Sequence, residues 1–383
     1  MTQHVETFRG IGRDTSVYRA PTDRHFGGGE YVFNDGYSIL GWGYGPGGRP
    51  MPDGIPEKGV AQCLTGAYFF EKAAGMGIPT VYEGLVDPSS DSILPKGRPV
   101  YTNKMDIKVA RVLKPEHMED AAAGIPSYRE YSQDPRPGFA AVPVGFIFRL
   151  GLPVGSSPFR RMLEGEADPR LFRLGSVPGK ERPMWYGFPM PDYRTRFDPR
   201  GQLYDLGREW YRRSAGMDDA EMDRMESLGK AVARMMDEEF GKADMRAWDG
   251  RLGFVFGNSE RGSVRSIYLD DVPGGLDSTR VTPIDHPERH MSKQFLVDVY
   301  GMKQPGWVAA CREESRTGGR WQERVLGRGL APEHLTEGER DLASAIYTSA
   351  ANALWRRSII SDAPSLEEVG REYGRFLTSA GKR

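Results

Sequence analysis

The stretch from Met217 to Ala243 limits the fold most. Met222, Met225, Leu228, Val232, Met235 or Met236 and Phe240 recur at three- and four-residue intervals. That spacing predicts a helix with one apolar face, its start capped by Asp218 or Asp219. A one-sided helix must bury its stripe against something, and two strand-type runs follow at once. These are "GRLGFVFG" and "SVRSIYLDD", joined through "NSERG" as a hairpin. The methionines therefore read as core rather than as a cofactor box.

The segments around this pair fall into two styles. Residues 6–40 alternate short apolar runs with Gly and Asp, which predicts a small antiparallel sheet with glycine-rich turns. Pro56-Glu57-Lys58 opens a helix that Gly75 or Gly77 closes, and strands are expected at "PTVYEGLV", "DIKVARVL" and "GFAAVPVGFIFRLGL". Residues 151–203, rich in Pro, Gly and Arg, are long for a structureless connection and read as a functional loop or lid. The last third is helical: "MSKQFLVDVYG", "ERDLASAIYTSAANALWRRSII" and "SLEEVGREYGRFL", the last with a Ser365/Glu368 capping box. The fold class is α+β, and no internal repeat is visible.

Several function classes drop out. With 52 Lys+Arg against 53 Asp+Glu, the chain has no basic field to attract nucleic acid or an anionic membrane. No run approaches the roughly 18 apolar residues of a membrane span and no signal peptide is apparent, so the expected location is cytoplasmic. Cys63 and Cys311 are too few for a disulfide framework or a Cys-rich zinc site and read as core thiols. His286 and His290 stand four residues apart, yet Pro287 between them opposes a helix and H-E-x-x-H is missing. No GxSxG elbow supports a serine hydrolase.

Two stretches keep their interest. "RGIGRD" would let backbone N–H groups approach phosphate oxygens, with Arg9 or Arg13 supplying charge, though by itself it reads first as a hairpin turn. "SIYLDDVPGGLDSTR" ends a strand on Asp270 and Asp271, then turns and offers Asp277. Such a strand end ordinarily just reaches solvent; it also suits a metal–nucleotide site, because Mg²⁺ prefers hard oxygen ligands.

Taken in order, the segments resemble the SAICAR synthetase (phosphoribosylaminoimidazole-succinocarboxamide synthase) family over residues 8–300. "FRGIGRDTSVY" resembles the family's phosphate loop, "FNDGYSILGWG" a ribotide-contacting segment, and "IPEKGVAQCLTGAYFFEKAAGMGIPT" an Ile-x-x-Lys-Gly helix. "VPVGFIFRLGLPVGSS" resembles a hinge strand, "RFDP" a His-Asp-Pro element, and "LDDVPGGLDSTR" with "MSKQFLVDVYG" the paired Asp-Ser-Ser-Arg and Lys-Gln-Phe signatures.

The resemblance implies an ATP-grasp-like two-lobed fold with antiparallel sheets around a nucleotide cleft. Residues 1–142 would form the sheet-rich lobe with the phosphate loop, and 143–383 the larger nucleotide- and substrate-binding lobe. It implies a ligase using ATP and Mg²⁺ to join a heterocyclic carboxylate ribotide, in purine or specialised nucleoside biosynthesis, to an amino acid such as aspartate through an acyl phosphate. Its partners would be small molecules, with homo-oligomers in the family. Lys58, Arg149 and Asp198 carry over as catalytic; Gly12, Arg13 and Asp270 as nucleotide-binding; Asp270 and Asp271 as metal ligands. Asp35, Ser38, Ser156, Asp277, Ser278, Arg280 and Lys293 carry over as substrate-binding. The chain departs from the pattern at Ile11, at Gly145, and in "WDGRLGFVFG", where Gly253 or Val255 stands in place of a metal-binding Glu. The alternative is a non-catalytic or ATP-independent ribotide-binding descendant of the same fold.

Overall fold

The computed structural model describes residues 6–43, 48–113, 118–120, 125–126, 128–133, 136–153, 156–165, 167–172, 174–176, 183–195, 207–258, 265–317 and 319–380. The first sheet comprises β1 (Glu6–Phe8), β2 (Arg13–Arg19), β3 (Gly27–Phe33), β4 (Tyr82–Leu85) and β5 (Lys104–Val109). Its order is β1-β2-β3-β5-β4, antiparallel throughout. Helix α1 (Lys58–Gly75) packs against β3, β4 and β5 and buries Leu64, Phe69 and Phe70. Short strands β6 (Met118–Asp120) and β7 (Ile125–Pro126) form a separate ribbon.

The second sheet contains β8 (Val144–Leu152), β9 (Met184–Thr195), β10 (Met245–Phe256), β11 (Ile267–Asp270) and β12 (Thr279–Pro283). Long β10 has β8 along one edge, while its other edge is shared by β11, opposite Gly253–Phe256, and β12, opposite Met245–Gly250. Strands β11 and β12 thus follow one line, and Asp271–Ser278 is a loop let out of it. Gly274 in that loop, at φ +70, seats against α1: an added Cβ would lie 2.0 Å from the Phe69 ring. The two sheets are tied where Val81 N–H donates to Leu269 O and Leu269 N–H donates to Pro79 O.

The remaining helices are α2 (Ser157–Leu163), α3 (Gly207–Ser214), α4 (Asp219–Gly241), α5 (Gln294–Lys303), α6 (Pro305–Ser315), α7 (Trp321–Gly327), α8 (Glu337–Trp355) and α9 (Leu366–Ala380). Helix α4 is the methionine-striped segment; Asp218 caps it in a reciprocal box with Glu221, and Met222, Met225, Met235 and Met236 are buried. Helix α8 packs across α1, with Trp355 Nε1 donating to Leu64 O and Ser344 Oγ to Pro56 O. One apolar core, which includes Cys63 and Cys311, runs through both sheets and these helices except α2, whose Phe159 and Met162 form a second, smaller cluster with Leu152, Phe172 and Leu174. Among the described residues no helix is long and apolar enough to cross a membrane.

The fold is α+β, as expected, and most expected elements form. The reading of 151–203 as a loop or lid is corrected. Its described part holds α2 and all of β9, which pairs with β8 from Val144↔Thr195 to Leu152↔Met184. Pro189 and Pro191 disguise the strand, and they are tolerated because β9 is the edge of its sheet. Helices α6 and α7 also went unread.

Candidate functional site

The fold places the glycine-rich turn before β2, the start of α1 and the loop between β11 and β12 against one another. Lys58 is fully buried at the first position of α1, and its Nζ lies 2.7 Å from Asp277 Oδ2. Nζ also donates to Gly36 O at 3.0 Å. The other carboxylate oxygen, Asp277 Oδ1, accepts from the Tyr347 hydroxyl at 2.7 Å. Gly12 covers this pair: an added Cβ would stand 3.3 Å from Lys58 Nζ and 3.4 Å from Asp277 Oδ2. Burial works to raise the Asp277 carboxyl, but the ammonium groups of Lys58 and Lys293 and the hydrogen bonds from Lys58 and Tyr347 outweigh it, so its pKa lies below the ordinary carboxylate value. Lys293, just before α5, shifts downward, first through burial, with Asp277 opposing and Lys58, Arg251 and Arg280 adding to the fall.

A second cluster forms where β11 ends. Asp271 takes a left-handed conformation, φ 58, which turns the chain out of the strand. Arg13 Nη1 approaches its Oδ1 at 3.2 Å and Arg251 Nη2 its Oδ2 at 3.3 Å. The Arg13 guanidinium lies 3.8 Å over the Tyr31 ring, and the Tyr31 hydroxyl donates to Asp270 Oδ1 at 2.8 Å. Asp270 is buried and registers opposite Gly253 on β10.

A third set lines the middle of the second sheet. Buried Arg149 bridges Asp192 of β9 at 2.8 Å and Asp249 of β10 at 3.3 Å. Arg280 Nε approaches Asp249 at 3.5 Å, and its buried Nη1 has no hydrogen-bond partner among the described residues. Ser278 Oγ donates to Gly275 O, which stiffens the loop. Asp35 is exposed, and its Oδ1 accepts from Gly59 N–H at 2.9 Å, tying the exit of β3 to the start of α1. Ser38 is buried two residues beyond Gly36, and Ser156 is buried ahead of α2. Asp198 lies outside the described residues.

Gly12, Arg13, Lys58, Asp270, Asp271, Asp277, Ser278, Arg280 and Lys293 therefore come from distant parts of the chain to one region, with Arg149 joined through Asp249. The sequence reading missed Tyr31, Asp192, Arg251 and Tyr347. Strand alternation could have flagged Arg251, since it shares a face of β10 with Gly253; a tyrosine inside α8 leaves no such signal. A separate groove of about 770 Å³ between α5, α8 and α9 contains none of the candidate site residues.

Among the described residues no three His, Cys, Asp or Glu side chains gather as a metal site. Asp271 is taken up by two guanidiniums and Gly253 faces Asp270, so the donors do not fit a cation chelated by a carboxylate pair. They fit Mg²⁺ that arrives on nucleotide phosphates and meets Asp270, because Mg²⁺ commonly keeps one or two carboxylates with phosphate oxygens and water.

No family model matches the chain. A protein of Archaeoglobus fulgidus that bears the name phosphoribosylaminoimidazole-succinocarboxamide synthase is 29% identical over 360 residues, covering 94% of this chain and 97% of that protein. The SAICAR synthase of Saccharomyces cerevisiae, solved with SAICAR, superposes with a TM-score of 0.58 at 14% identity, covering 93% of this chain and 95% of that one. The chain shares the fold of the SAICAR synthetases. A second SAICAR synthase structure gives a TM-score of 0.54 at 15% identity, with the same coverage. The SAICAR synthetase fold read from the motif order is thus borne out.

Proposed function

We propose that this chain is an ATP-dependent ligase that forms an amide between aminoimidazole carboxylate ribotide, or a closely analogous carboxylate ribotide, and aspartate. The observation that carries the reading is the meeting of two motifs 258 residues apart, where the turn bearing Arg13 lies against the loop bearing Asp271 and Gly12 covers Lys58 and Asp277. In this reading the Gly12–Arg13 turn receives the nucleotide phosphates, and Asp277, Ser278, Arg280 and Lys293, with Asp35, Ser38 and Ser156, hold the ribotide and amino acid. Mg²⁺ entering with the nucleotide would be met by Asp270 and would neutralise phosphate charge.

The chemistry is alignment and charge compensation. The ribotide carboxylate oxygen attacks the γ-phosphorus, ADP leaves, and the amine then attacks the acyl phosphate, releasing phosphate and leaving the amide. Lys58, Arg149 and Arg13 surround the site with fixed positive charge, held in place by the carboxylates of Asp277, Asp249 and Asp271. Asp198 belongs to the same proposed set by resemblance. The lobes 1–142 and 143–383 would close over the reactants, and the reaction would proceed in the cytoplasm with small-molecule partners. Formation of the succinyl-amide product from ATP, ribotide and aspartate, read by mass spectrometry, tests the assignment; no product under saturating substrates would refute it.

Gly253 opposite Asp270 favours one rival, a ribotide-binding descendant that no longer turns over ATP. Thermal stabilisation by ribotide and none by Mg²⁺-ATP would select that rival.

A further inference from the structure

We infer that Tyr347 is a positioning residue of this site, fixing the Asp277 carboxylate from behind so that its remaining acceptor directions face the ribotide. The inference rests on the functional reading above, in which Asp277 binds substrate. Tyr347 lies in the middle of α8, beyond the part of the chain whose motifs carry the resemblance, and it is 2% exposed. Its hydroxyl donates to Asp277 Oδ1 at 2.7 Å while Lys58 Nζ sits 2.7 Å from Oδ2. Each carboxylate oxygen is thus fastened by one donor, and an ionised carboxylate has about four lone-pair sites. The Asp277 side chain stays 32% exposed while Lys58 is fully buried, so the open side is the one away from α8 and α1.

Both fastening donors are themselves held. Lys58 stands 5.4 Å from the Tyr347 ring centroid and donates to Gly36 O. On either side of Tyr347, helix α8 is pinned by Trp355 to Leu64 O of α1 and by Ser344 to Pro56 O just ahead of α1. Helix α8 therefore acts on the site through one hydroxyl. A carboxylate gripped at both oxygens is pre-organised, and binding to it loses less rotamer entropy.

The test is calorimetric binding of aminoimidazole carboxylate ribotide to wild type, Tyr347→Phe and Ser349→Ala, with melting temperatures of all three. Phe keeps the ring volume and removes only the donor. Ser349→Ala removes a hydroxyl of the same helix that donates to Pro364 O at 2.6 Å, away from Asp277. The expected result is a roughly five- to tenfold weaker ribotide affinity in Tyr347→Phe, about 1–1.4 kcal/mol, with unchanged affinity in Ser349→Ala whatever its melting temperature. Equal ribotide affinity in wild type and Tyr347→Phe overturns the inference while leaving the functional reading intact. Equal weakening in both variants also overturns it and makes Tyr347 merely structural. No ribotide binding by wild type overturns both the inference and the reading beneath it.

Discussion

Among single residues, Lys58 carries the strongest commitment. An ammonium with no solvent exposure is tolerated only because Asp277 and Gly36 O receive it. Lys58→Met should lower stability by about 2 kcal/mol in a denaturant titration. That is less than the roughly 3–5 kcal/mol for breaking a fully buried pair, because the orphaned Asp277 keeps partial access to water. The pH sign follows from the Asp277 shift. Its folded pKa is depressed, so the pair's contribution is complete above the ordinary carboxylate value, about 4, and disappears as pH falls through the folded value. Asp106 runs the other way. Burial raises it to about 6, helped by Glu30 and Glu83 and opposed by the Tyr18 hydrogen bond. The fold therefore favours its protonated form, and stability from this residue declines as pH rises from about 4 to 6. Asp106→Asn, which keeps an acceptor for Tyr18, should gain stability relative to wild type across that interval; a gap that stays constant with pH would refute the assignment.

At the scale of elements, the decisive feature is a turn packed on a loop let out of a strand. Gly12 is the point of contact, and a side chain there would crowd Lys58, Asp277 and Gly36 O within 3.2–3.4 Å. Gly12→Val should weaken ribotide or nucleotide binding about tenfold or more while moving the melting temperature by only a few degrees, since the turn is partly exposed and the core is untouched. Binding equal to wild type would detach this turn from the site. Legibility in the sequence divides along the same lines. Helices α1, α4, α5, α8 and α9 were readable because each carries its own periodicity or cap, and β2, β3, β8, β10 and β11 because their runs are apolar and bounded by turns. Strand β9 was hidden by prolines that only an edge position permits, a fact about topology rather than local sequence. Lys58, Asp270 and Asp277 came from motif order, whereas Tyr347 and Asp192 act through contacts between remote elements, for which a sequence has no local mark.

For the whole molecule, two sheets share one core and are laced together at Leu269, so the phosphate-type turn on the first and the acidic loop on the second are held in a fixed relation. The N-terminal turn, α1 and α8 all meet the Asp277 carboxylate of the β11–β12 loop, which makes the site depend on segments from Gly12 to Tyr347. Gly253 facing Asp270 and Asp271 bound by two guanidiniums would, in the proposed ligase reading, shift the balance from carboxylate-held metal toward protein cations. The measurement that bears most directly on the ligase reading is ADP release by the purified protein with Mg²⁺-ATP and aminoimidazole carboxylate ribotide, with and without aspartate. Release that requires ribotide and aspartate together, with one ADP per amide, is the expected result; the absence of release, or release indifferent to both partners, would contradict it.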